Sequence, residues 1–231
     1  MSLKEYQEHP EEGFIEMDFV EVPAREMLDR ANGYYELMDK RRTTRHFSKK
    51  EVSRDLIELA IRTAGTAPSG AHLQPWTFVA VSDVKLKERI RIAAEEEERR
   101  FYEERVPEEW AEVLLPLGTD QVKEHLTDAP WVVILFRHSQ RVRENGDLAP
   151  TYYSQESCGI AAGMFISAVH NMGLTTLTHT PSPMGFLREL LNRPDHEHPM
   201  VVMPVGYPAK GAKVPDITRK SLGDISVFYP Y

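Results

Sequence analysis

Three arginines and two threonines crowd into five positions, Arg41-Arg42-Thr43-Thr44-Arg45. Guanidinium forks supply planar bidentate donors and threonine hydroxyls supply short neutral ones, which is the donor set a phosphate dianion needs. A charge cluster on a surface is more often simply solvated. This one connects an expected helix to Phe47 and a second expected helix, so it sits at a junction between elements. Three other segments carry groups that suit a bound ligand. Gly65-Thr-Ala-Pro-Ser-Gly-Ala-His-Leu-Gln-Pro-Trp76 is built of small residues and stiffened by Pro68 and Pro75. Its lack of bulk lets a flat ring approach the backbone; its bland reading is a surface turn. Leu177-Thr-His-Thr-Pro181 follows an expected strand and offers hydroxyls at the strand end, where ligands of layered folds collect. Pro215-Asp-Ile-Thr-Arg-Lys220 brings a late basic pair that could fold back onto a phosphate. None of the four is specific alone, and a Walker-type or G-x-G-x-x-G phosphate loop is absent.

A fifth segment, Glu95-Glu-Glu-Glu-Arg-Arg-Phe-Tyr102, reads first as a solvated helix. Glu95–Arg99 and Glu96–Arg100 pairs at i,i+4 would each contribute about 0.2–0.5 kcal/mol. Glu98 and Tyr102 are also four apart and share a face, with Ala94 one turn earlier.

The elements that must position these groups follow from apolar periodicity. Residues 1–22 show no clear period and read as an extended arm. A helix is expected from about Pro23, with Ala24, Met27, Leu28, Ala31 and Tyr35 on one side. A second follows Glu51 and ends in the Gly65–Gly70 loop, and a charged third runs from about Lys85 to Arg105. Trp76–Val81, Leu174–Thr178 and Val201–Val205 read as strands. Trp131–Phe136 is continuously apolar, as a strand buried on both faces would be. Tyr152–Met172 reads as a long helix, apolar nearly all round and therefore buried. It is either the core helix of a monomer or one shared with a second subunit. Gly173 is placed to end it. Strands separated by helices, without a long β-meander, argue for an α/β or α+β sandwich.

Composition limits the function classes. The chain has 231 residues, 41% hydrophobic, enough for one domain with its own core. A formal net charge of -8 argues against a nucleic-acid partner. Cys158 is the single cysteine, so no intrachain disulfide is possible, and its apolar surroundings suit a buried, inert thiol rather than a nucleophile. No run approaches the ~18 apolar residues of a membrane span. A soluble, cytoplasmic protein is expected. His196-Glu-His198, flanked by Pro194 and Pro199, reads as a polar loop rather than a metal site.

Taken together and in order, the segments resemble the nitroreductase superfamily of FMN enzymes, and most of all its iodotyrosine deiodinase branch. The resemblance covers about Tyr35 to the C-terminus. It rests on Arg41–Arg45, Ile61–His72 followed by Pro75-Trp76, the Glu95–Tyr102 stretch, Thr180-Pro181 and Pro204-Val-Gly-Tyr-Pro208. It implies an α+β fold, a three-layer α/β/α sandwich over 23–231. It also implies a homodimer with FMN at the subunit interface and 95–125 as an active-site lid. By motif position, Arg41, Arg42 and Thr43 lie at the phosphate and ribityl end, and Arg219 closes on the phosphate. Arg45 approaches the pyrimidine side of the flavin. Pro68, Ser69 and Gly70 line the ring, and Thr178, His179 and Thr180 lie on its other edge, with Thr180 near N5. A cation at the pyrimidine edge stabilises the reduced ring, and a hydroxyl at N5 favours single-electron steps.

The resemblance further implies that Glu98, Tyr102 and Lys123 clasp the amino-acid end of a halotyrosine: ammonium on Glu98, carboxylate on Lys123. The backbone at Ala71 would bind the phenolate oxygen. His179 stands where vertebrate members carry a hydroxyl residue, and packing is the expected role. The membrane-anchoring N-terminal segment of animal deiodinases has no counterpart here, which implies a soluble form. Three functions compete. One is reductive dehalogenation of iodotyrosine and related halotyrosines, with NAD(P)H or a reductase as electron source. Another is a general NAD(P)H-dependent nitroreductase or quinone reductase, with no joint use for Glu98, Tyr102 and Lys123. The third is a non-enzymatic flavin-binding protein.

Overall fold

A computed structural model describes residues 13–229, and the chain divides into two compact units between Asp39 and Lys40. The expected arm, 1–22, lies partly outside the described residues; 14–22 hold neither helix nor strand. Helix α1 (Ala24–Asp39) completes the first unit and buries none of its residues. Its expected apolar side is therefore bare: Met27, Leu28 and Tyr35 are all exposed.

The second unit runs in the order α2 (Arg54–Gly65), β1 (Trp76–Val81), α3 (Val84–Arg100), α4 (Glu108–Leu114), α5 (His125–Asp128), β2 (Trp131–His138), β3 (Gln140–Val142), β4 (Leu148–Pro150), α6 (Ser154–Asn171), β5 (Thr175–Thr176), α7 (Gly185–Leu190), β6 (Glu197–Gly206) and α8 (Leu222–Ile225). The main sheet has the order β1-β2-β6-β5, with every pair antiparallel. Phe78 faces Leu135, Val133 faces Met203, and Thr176 faces Val205. β3 and β4 form a separate hairpin.

Strand periodicity of two sorts β2 between two cores. Val133 and Leu135 point to a layer of α2 and α6, meeting Ile57, Ala60, Cys158, Phe165 and Val169. Val132, Ile134 and Phe136 point the other way, onto Ile90 and Ala94 of α3, Leu126 of α5 and Leu187 of α7. This is the three-layer α/β/α arrangement of an α+β fold, and β2 is buried on both faces as its apolar run required. Each fully buried Phe or Ile contributes about 1.5–3 kcal/mol of transfer free energy. Phe165 stacks on Phe78 at 5.7 Å between ring centres, clamping α6 to the sheet.

Three expectations need correction. α6 is not the fully buried core helix of one chain: Ser157, Cys158, Ala161, Phe165 and Val169 are covered, whereas Gly159, Ile160 and Gly163 are exposed. A Cβ built on Gly159 or Gly163 would meet nothing within 4 Å. Gly159 and Gly163 mark the exposed face, whereas the small Ala161 and Ala162 lie on the buried one. β6 begins at Glu197, so the expected polar loop is partly strand. Glu197 is buried there because Arg193 grips both its oxygens at 2.7 and 2.8 Å and Thr77 donates at 3.1 Å. The strand expected over Leu174–Thr178 shortens to Thr175–Thr176. Gly173 ends α6 with φ +77, as expected. Cys158 is fully buried, and burial pushes its thiol up to about 12.

Candidate active site

Segment 41–48 is neither helix nor strand because the rest of the unit takes up its backbone. Thr43 bridges Thr176, Thr44 N–H donates to the Thr176 carbonyl, and Ser48 N–H donates to Tyr207. Thr44 and Phe47 turn inward and are buried. Arg41, Arg42, Thr43 and Arg45 are left facing a cavity of ≈ 340 Å³, which Pro215, Ile217, Thr218 and Arg219 also line. The C-terminal segment is tied to the cluster directly. Arg219 donates to the Arg41 carbonyl at 2.8 Å, and Arg42 donates to the Pro215 carbonyl.

No carboxylate among the described residues pairs with Arg41, Arg42 or Arg45. Burial, and then the charges of Arg219 and Arg42, push the Arg41 guanidinium below its ordinary range. A half-buried group of like charges is unfavourable by itself and is relieved by an anion. The donor set therefore fits a phosphate.

Arg45 and Leu117 also line a second cavity, of ≈ 220 Å³, together with Glu98, Phe101, Tyr102, Trp110, Leu114, Thr119, Lys123, His125, Leu177, Thr178, His179, Thr180 and Ser182. One chain thus brings the three arginines of the cluster, Arg219, the Thr178–Thr180 strand end and the Glu98-Tyr102-Lys123 group to two cavities with a shared wall. Glu98 sits on the last turn of α3, and a π-helical turn, Phe101–Arg105, carries the chain on past Tyr102. Lys123 precedes α5; its N–H donates to Glu95 at 2.8 Å, and its ammonium meets Glu98 at 3.2 Å and the Asp120 carbonyl. Tyr102 donates weakly to the Thr119 carbonyl at 3.4 Å. Burial pushes its phenol upward, so it stays protonated and able to donate.

The solvated pairs on this helix differ from expectation. Glu96–Arg100 forms at 2.9 Å. Glu95 turns instead to Arg91 at 2.7 Å, and Arg99 bonds Glu96 and Glu103. The backbone N–H of Lys123 draws Glu95 inward and away from Arg99.

Pro68, Ser69, Gly70 and Ala71 line neither cavity. Their loop packs where α6 begins: Gly70 N–H donates to Ser157 at 3.3 Å, and a Cβ at Gly70 would sit 2.9 Å from the Tyr152 carbonyl. Glycine is required there by that close approach. Ser69 spends its hydroxyl locally, accepting from Gln74 N–H at 2.9 Å. Ala71, His72 and Gln74 all take positive φ, at 50, 54 and 47, which is strained for residues with a Cβ.

Sequence reasoning passed over Phe101, Trp110, Leu114, Leu117, His125 and Ser182 on the cavity wall. The four apolar ones carry no chemical signature. His125, two residues beyond Lys123 and at the start of α5, was within reach of a helix-face argument.

Residues 38–207 match the nitroreductase family. The chain is 48% identical to an iodotyrosine deiodinase of Haliscomenobacter hydrossis over 94% of its own length and 97% of that protein's. It is 45% identical to Homo sapiens iodotyrosine deiodinase 1, over 89% of its own length and 71% of that protein's. Among solved structures it is similar to oxidized iodotyrosine deiodinase bound to FMN and 3-iodo-L-tyrosine, with TM-score 0.75, 31% identity, and coverage of 86% and 99% of the two chains. Fold and relatives agree: this chain belongs to the nitroreductase family, in its iodotyrosine deiodinase branch.

Proposed function

We propose that this protein is an FMN-dependent oxidoreductase that removes iodide reductively from iodotyrosine and related halotyrosines. The observation that carries the reading is the shared wall at Arg45. An anion-seeking pocket on one side opens to a cavity holding a carboxylate, an ammonium and a phenol on the other. A zwitterionic aromatic amino acid offers the complement of those three groups.

Arg41, Arg42, Thr43 and Arg219 hold the phosphate and ribityl end, and Arg45 faces the pyrimidine edge. A reduced flavin held by these groups would supply two electrons, which with one proton would replace the carbon–iodine bond by a carbon–hydrogen bond and release iodide. Glu98 receives the substrate ammonium, Lys123 its carboxylate, and Tyr102 covers or hydrogen-bonds the clasped end. Thr180, exposed on the cavity wall, is assigned to the reacting edge of the ring, where its hydroxyl favours single-electron steps. Residues 95–125 act as a lid that excludes water.

We infer a homodimer as the working unit. Two observations support it: the exposed face of α6, with Gly159 and Gly163, and the bare apolar side of α1. A second copy would bring its Pro68–Ala71 loop to the ring that Arg45 and Thr180 approach, with Ala71 offering its backbone to the phenolate. NAD(P)H or a partner reductase is the proposed electron source. No described helix is long and apolar enough to cross a membrane. A cytoplasmic location is part of the proposal.

The test is anaerobic. Reduction of the flavin-loaded protein with dithionite, followed by iodotyrosine, should release iodide and form tyrosine. Turnover of nitroaromatics without iodide release would overturn the reading in favour of a general nitroreductase.

A further inference from the structure

Four groups meet at the inner end of the substrate cavity. His179 Nε2 lies 2.9 Å from Glu98 Oε1, and Lys123 Nζ lies 3.2 Å from Glu98 Oε2. His179 Nδ1 lies 3.5 Å from His125 Nε2, with the two rings edge to face at 5.1 Å and 86°. A carboxylate oxygen only accepts, so His179 carries its proton on Nε2. Burial pushes both imidazoles down, His125 to about 3, so both are neutral near pH 7. A neutral His179 with Nε2–H then presents a lone pair at Nδ1, and His125 Nε2 is the donor that faces it.

The two Glu98 oxygens therefore have different partners. Oε1 is held by a ring that cannot move far. The His179 backbone forms a two-bond bridge with Val202, both bonds at 2.8 Å, and its side chain is 8% exposed. Oε2 is held by Lys123, a long chain whose ammonium is itself wanted by a substrate carboxylate. On the halotyrosine reading, a zwitterion entering the cavity would take Lys123 from Oε2 and put its ammonium in that place, while Oε1 would keep its bond.

We propose that His179 is a positioning residue for recognition of the substrate's amino-acid end: it fixes Glu98 through Oε1, braced by His125, so that Oε2 alone exchanges between Lys123 and the substrate ammonium. Without that bond Glu98 loses its aim when Lys123 leaves, and binding must order a free glutamate side chain. The role rests on the halotyrosine reading above, and it replaces simple packing as the account of His179.

The test compares two ligands on the oxidised, flavin-loaded protein by quenching of flavin fluorescence. Iodotyrosine carries the zwitterion, and 2-iodophenol has the same ring without it. The preference for iodotyrosine, taken as the ratio of the two dissociation constants, should fall about tenfold in His179→Ala. It should stay within about threefold of the natural protein in His179→Gln, whose amide N–H can still donate to Oε1. If the alanine variant does not retain flavin, His179→Phe, which keeps a ring and loses the donor, takes its place. A preference that survives loss of the donor overturns the proposal. So does an equal loss of affinity for both ligands, which would put His179 on the flavin instead. A natural protein with no preference for iodotyrosine would overturn the substrate reading itself, before any variant is made.

Discussion

The two ends of the site handle charge in opposite ways. At the arginine end, Arg41, Arg42 and Arg45 have no carboxylate partner among the described residues, and like charges crowd one another. At the clasp end every charge already has an internal partner: Glu98 is shared between His179 and Lys123, and Lys123 also bonds the Asp120 carbonyl. Burial alone would push the Glu98 carboxyl up, yet His179 and Lys123 hold it below its ordinary value. On the proposed function, the first end would accept a lasting counter-charge from outside. The second would exchange one internal pair for two formed with the substrate's amino-acid end. That would be the difference between holding a cofactor and turning over a substrate.

The contrast breaks first, and by the largest effect, at the arginines. The double variant Arg41→Ala/Arg42→Ala removes two charge-assisted contacts of about 1.5–3 kcal/mol each. FMN affinity should fall at least about 100-fold, read as free flavin after ultrafiltration; full retention would show that the phosphate lies elsewhere. Lys123→Ala should act at the other end only. Iodotyrosine binding should weaken about 30-fold, or ~2 kcal/mol, with flavin occupancy intact; lost flavin would erase the division between the two ends.

The smallest effect sharpens the claim that the clasp end is satisfied without added protons. His125 is neutral in the folded protein, with its imidazole at about 3, whereas an unfolded histidine protonates near 6.5. The unfolded chain thus binds more protons between these values. Stability from this group is complete above pH 6.5 and declines as pH falls toward 3. At pH 5.5 the loss is about 1.4 kcal/mol for this residue. Unfolding free energies from urea titrations at pH 7.5 and 5.5, at fixed protein concentration, should differ less in His125→Gln than in the natural protein by about that amount. An equal difference would mean that His125 is not held neutral.

The sandwich class is legible in the residues, because β2 is a continuously apolar run and helices separate the strands; the three-layer order follows only from the family resemblance. The differences between expectation and structure have local and non-local causes. Glu197 looks like a loop residue until Arg193 and Thr77 are brought to it. The β3–β4 hairpin was missed although Asn145-Gly146 marks its turn, with Gly146 at φ +85; its strands carry too few β-branched residues to register. In the site, Arg41–Arg45 and the Glu98–Tyr102 spacing were visible as patterns. The bond from His179 to Glu98 was not, since 81 positions separate the two and the topology of α3 and β6 alone joins them. The Pro68–Ala71 loop was grouped with the arginines by motif order, and one chain folds it against α6 instead.

The exposed glycines of α6 have a consequence for the life of the chain before it finds company. A mid-helix glycine costs roughly 0.5–1 kcal/mol relative to alanine. Gly159 and Gly163 return none of that as packing within the chain, since nothing approaches within 4 Å of where a side chain would begin. The longest helix of the fold is thus weakest along its exposed face. In the proposed dimer, folding and pairing become one equilibrium, and the protein's durability would depend on how much of it a cell makes.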